Sequence, residues 1–93
     1  MNREEVLMTA LDCITNDRAN QYGKAEDNFG NISKLWSAYL RIDINKLEVA
    51  MLMTLVKVAR TISSPKHEDN YVDICGYSAI ANELAKEKKN DWR

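Results

Sequence analysis

Apolar residues recur at steps of three and four along most of this chain, the spacing of one helix face, and they fall into four stretches. In the first, Val6, Leu7, Ala10, Leu11 and Ile14 form a stripe that predicts a helix from about Arg3 to about Asn20. Glu4 and Glu5 in its first turn favour the helix dipole, and Gly23 follows as a terminator. The second stretch, Phe29, Ile32, Leu35, Trp36, Tyr39 and Leu40, is the cleanest amphipathic pattern in the chain. Asp27 or Asn28 is placed to cap it, and Trp36 and Tyr39 are expected in the core.

The third helix is expected from Lys46 to Ile62, capped by Asn45. Within it, Val49 to Val56 carry no charge and one hydroxyl, Thr54. A helix apolar nearly all round is buried on most sides, so this is the expected central helix and a candidate subunit contact. Ser63-Ser64-Pro65 then breaks the chain. Ser64 is a possible cap and Pro65 fits the first position of a fourth helix, which is expected to reach about Lys88 before a polar tail. Four helices with short connections predict an all-α, four-helix-bundle-like single domain over residues 1–93.

Composition sharpens this picture in a few places. With three glycines and one proline among 93 residues, the chain suits long helices better than a many-turned β-sandwich. Folding alone, a chain of this length buries only about 60–65% of its surface, so a homo-oligomer is expected. A net charge of −1 gives no broad basic surface for nucleic acid, although two local cations are enough for a small anion. Cys13 and Cys75 each sit in an apolar helical stretch and are expected to be reduced, buried small hydrophobes. No uncharged run approaches the roughly 20 residues that span a bilayer. The opening MNREEV does not resemble a signal peptide, so the expected location is the cytoplasm.

Charge placement supplies the candidate chemistry. Lys57 interrupts the apolar run of the third helix, and Arg60 follows one turn later on nearly the same side. Glu48 lies roughly opposite Lys57 and is left out of the site. On the fourth helix Asp69 and Asp73 are one turn apart, and their line continues through Tyr77, Ile80 and Leu84, so Asp73 stands on a core-facing stripe. A buried carboxylate must be compensated by a cation or by donors. Two readings follow. Either Asp73 makes a structural salt bridge with Lys57 or Arg60, or Lys57, Arg60, Asp69 and Asp73 line one site for phosphate or metal. Arg18, which extends the first stripe inward, and His67, the only histidine, are further phosphate-binding candidates. Asn28, Trp36 and Tyr77 are candidate pocket residues. No Walker loop, dinucleotide fingerprint or HExxH motif is present, and His67 has no evident nucleophile partner. Any catalysis would therefore be metal-assisted or electrostatic.

These residues also form a recognisable constellation. The segments DRANQYGKAEDNFGNISKLWSAYL, VAMLMTLVKVAR and KHEDNYVDICGYSAIANEL resemble a small family of phage and prophage proteins, domain of unknown function 6378. Its pattern is met here by Asp17, Arg18, Tyr22, Gly23, Asn28, Phe29, Trp36, Lys57, Arg60, His67, Asp69, Asp73, Gly76 and Tyr77, over about residues 10 to 84. The family carries no established activity to transfer.

A more distant resemblance is to the all-α nucleotide pyrophosphohydrolases, the MazG-like and dimeric dUTPase enzymes. These are associating helical bundles that bind Mg²⁺ through two acidic pairs. This resemblance implies Asp69 and Asp73 as catalytic metal ligands for Mg²⁺, with the cations on the phosphates. The earlier acidic pair has no counterpart, since the second helix offers Asn28 with Glu26 and Asp27 just before it. Three functions follow as expectations: a Mg²⁺-dependent nucleotide pyrophosphohydrolase-like enzyme, a non-catalytic phage accessory protein binding a nucleotide or host protein, and a structural helical oligomer.

Overall fold

The computed structural model describes residues 1–15 and 25–87, and every regular element among them is helical. The helices are α1 (Arg3–Thr15), α2 (Ala25–Leu40), α3 (Lys46–Ser63) and α4 (Glu68–Ala85). α3 and α4 form the principal helix pair, α1 rests on α4, and α2 rests on α3. Arg18, Gly23 and the end expected for the first helix lie outside the described residues, as does Trp92.

Local chemistry explains the clearest boundary. Asn45 caps α3 with a complete capping box: its side chain accepts from the Glu48 N–H at 2.8 Å, and the Asn45 N–H donates to Glu48 at 3.1 Å. Two N–H groups that a helix start leaves unbonded are thereby satisfied. Upstream, Ser37 clamps the connection from α2, accepting the Ile44 N–H at 2.9 Å and donating back to the Ile44 carbonyl at 3.2 Å.

Other boundaries differ from expectation. α2 begins at Ala25, so Asp27 and Asn28 occupy its first turn rather than its cap. Ser64 closes α3, its N–H donating to the Arg60 carbonyl at 2.9 Å, and does not open α4. The chain needs residues 64–67 to reverse direction, so Pro65 falls in the turn and α4 starts at Glu68 with His67 as its cap residue. α4 ends at Ala85, short of Lys88.

The core joins Phe29, Ile44, Val49, Ala50, Ala81 and Leu84, flanked by Ile32, Trp36, Leu47, Met53, Tyr77 and Ile80. Phe29 and Tyr77 meet with tilted rings at 6.0 Å between centroids, a favourable aromatic separation. Trp36 is thus core-associated, as expected. Tyr39 is not: it is 86% exposed, and Leu35 is exposed beside it. The apolar arc of α2 is wider than the single face that α3 covers. The same limit applies to α3, where Val49, Ala50 and Thr54 are buried while Met51, Leu52, Leu55, Val56, Val58 and Ile62 are exposed. Its expected burial on most sides is therefore absent within one chain, because α2 and α4 occupy only one half of its circumference.

Gly76 brings α1 onto α4. A Cβ at Gly76 would lie 3.3 Å from Ile14 Cγ2, tighter than ordinary packing, so the absence of a side chain sets how closely the helices approach. At the other end of α1, the Met1 ammonium bonds the Glu68 carboxylate, which raises the pKa of the amine above its usual 8.0.

Candidate functional site

The charged site sits where α3 ends and α4 begins. Lys57 and Asp73 face each other across the two helices, Nζ to Oδ2 at 2.9 Å. Their side chains are 15% and 28% exposed, so the pair is mostly shielded. The antiparallel α3–α4 elbow creates this meeting. Both residues lie on the stripes that the two helices turn toward each other, with Thr54 below Lys57 and Tyr77 below Asp73.

The other expected members do not converge on that pair. Asp69, one turn before Asp73, is exposed, and so are Arg60 and His67. Among the described residues no side-chain partner meets Asp69, Arg60 or His67, and His67 caps α4 without a side-chain hydrogen bond. Asn28 is exposed in the first turn of α2, whereas Trp36 and Tyr77 flank the core. Of the three pocket candidates, Tyr77 stands one turn from Asp73 on α4. Arg18 lies outside the described residues.

One residue was missed by sequence reasoning. Asn70 is 1% exposed, and neither its side-chain oxygen nor its nitrogen has a hydrogen-bond partner. Its position was readable: Asn70, Asp73, Tyr77 and Leu84 form one line on α4 at steps of three, four and seven. The elbow thus combines a shielded ion pair, a buried amide on the same stripe, and exposed charges of both signs.

As a metal centre this arrangement is sparse. Among the described residues no group of three or more His, Cys, Asp or Glu side chains is placed to hold a metal ion. Mg²⁺ commonly takes one or two carboxylates and completes its shell with water and substrate phosphates. Asp69 and Asp73 fit only that minimal role, and Asp73 is already engaged by Lys57. No helix among the described residues is long and apolar enough to cross a membrane.

Fold and site together define a small all-helical domain in which the shielded Lys57–Asp73 ion pair bridges the principal helices. The chain belongs to the family described as Domain of unknown function (DUF6378), whose profile matches residues 5–85. It is 38% identical over 80 residues to the Gene 55 protein of Mycobacterium phage L5, covering 85% of this chain and 51% of that protein. It is 34% identical over 84 residues to the Gene 55 protein of Mycobacterium phage D29, covering 90% of this chain and 56% of that protein. The chain therefore spans about half the length of the curated relatives it matches. No solved structure matches.

Proposed function

We propose that this domain is a phage accessory module that binds the phosphate groups of a nucleotide at the α3–α4 elbow without turning it over. The observation that carries this reading is the Lys57–Asp73 bridge. It fixes the two helices while Arg60 and His67, on the same elbow, stay exposed to meet an anion. Arginine is suited to phosphate because its planar fork donates two parallel hydrogen bonds. The relatives' phage origin supports a role inside the infected host cell.

A second reading, Mg²⁺-dependent hydrolysis of nucleotide phosphates, is favoured by one observation: Asp69 and Asp73 are adjacent on one face of α4. In that reading the two carboxylates hold Mg²⁺ and the cations stabilise charge on the phosphates. Engagement of Asp73 by Lys57 weighs against it.

A thermal-shift screen of nucleoside mono-, di- and triphosphates, with and without Mg²⁺, tests both. A ligand at about 100 times its Kd stabilises by roughly 2.7 kcal/mol, which in a domain of this size raises Tm by about 10–20 °C. Arg60→Ala, at an exposed position, should abolish the shift without lowering the Tm of the free protein. Phosphate or pyrophosphate release that depends on Mg²⁺ and vanishes in Asp69→Asn would establish the second reading. No shift with any nucleotide would remove both and leave a host protein as the partner to seek.

A further inference from the structure

We propose that the outer half of α3 is the seam of an antiparallel homodimer. Between Met51 and Ile62 the exposed positions are Met51, Leu52, Leu55, Val56, Val58, Ala59, Arg60 and Ile62, and all but Arg60 are apolar. At about 100° per residue the seven apolar residues cover roughly 160° of the helix circumference. Leu55 is 58% exposed and Ile62 84%. A helix apolar on every side is a buried helix, and an unbroken apolar patch on a soluble protein marks a contact surface. α2 and α4 cover the inner half, so the outer half is completed by another surface.

The spacing identifies that surface as a second copy. Met51, Leu55, Val58 and Ile62 follow one another at steps of four, three and four, a series that reads the same in both directions. A twofold axis between positions 56 and 57 sets Met51 of one copy opposite Ile62 of the other, and Leu55 opposite Val58. This is the self-complementarity that an isologous interface requires, and the alternating step is the seam spacing of packed helix pairs. The same register brings Glu48 of one copy near the 65–66 turn of the other, where Lys66 carries the opposite charge. The exposed stretch from Met51 to Ile62 is about 18 Å long and over about 160° offers on the order of 350 Å² per copy. Two copies would bury about 700 Å², the scale of a weak, concentration-dependent association.

The test uses the full 93-residue chain in multi-angle light scattering and sedimentation equilibrium. The expected mass is twice 10.7 kDa. Leu55→Lys should return the mass of one chain with the helical circular dichroism preserved, since position 55 is exposed in the single copy. Register is tested by two further variants. Met51→Lys and Ile62→Glu should each be monomeric alone, because each sets a charge against an apolar residue at both twofold-related sites. Mixed, they should recombine into a heterodimer in which the lysine introduced in one chain faces the glutamate introduced in the other. A monomer at all concentrations up to about 100 micromolar would overturn the proposal. A dimer indifferent to Leu55→Lys would place the interface elsewhere and equally overturn it, and failure of the mixture to recombine would overturn the antiparallel register.

Discussion

The Lys57–Asp73 bridge joins the two helices that carry most of the packing, and its value lies between two known limits. Exposed pairs contribute about 0–1 kcal/mol, whereas removing one partner of a fully buried pair costs about 3–5 kcal/mol. With most of both side chains shielded, Lys57→Met alone should cost about 1–3 kcal/mol in urea unfolding. The double variant Lys57→Met/Asp73→Leu should recover most of that loss, because it leaves no stranded charge. Asn70 is the opposite case. A buried amide without partners costs about 1–3 kcal/mol, so Asn70→Leu should raise stability by about 1 kcal/mol if the amide serves only the fold. Loss of nucleotide stabilisation in Asn70→Leu would instead make the amide part of the binding site. That Asp73 pairs with a cation of α3 was legible in the sequence, because a carboxylate on an apolar stripe must find one; the choice of Lys57 over Arg60 was not. Asp69, Arg60 and His67 were not placed as reliably. They stand at the edges of their stripes, near helix ends, where a rotation of a few tens of degrees separates core from solvent.

At the scale of elements, the sequence located the four helices of the described residues, and capping chemistry fixed the start of α3 at Lys46. It misassigned the elbow because Ser64 and Pro65 satisfy the rules for opening a helix as well as those for leaving one. Only the tertiary demand that α4 fold back along α3 selects the second use. The breadth of apolar patterning on α2 and α3 was also legible, but not which part of it faces inward, since periodicity reports hydrophobic arc and not the number of available neighbours. Gly76 was readable only as a family motif position. Its physical role is the approach of Ile14, which predicts that Gly76→Leu will destabilise by about 1–3 kcal/mol through overpacking. Chemical denaturation, with circular dichroism to confirm helix content, measures this directly.

Across the whole molecule, the helices are unequally supported. α4 touches both α1 and α3, and α3 touches both α4 and α2, while α1 finds its main support on α4 alone. Leu7 and Leu11 of its expected stripe remain exposed, as does Met8, so α1 is held by a narrow strip around Ala10 and Ile14 and by the Met1–Glu68 ion pair at its start. Amides in such an element open by local fluctuation at lower free energy than those of a helix held on two sides. Deuterium exchange should therefore label α1 well before α3 and α4, and equal protection in all three would show that α1 opens only with the entire fold. If α1 opens alone, its departure would uncover Gly76 while the elbow stays shut, making this glycine a latch whose release leaves the ion pair untouched.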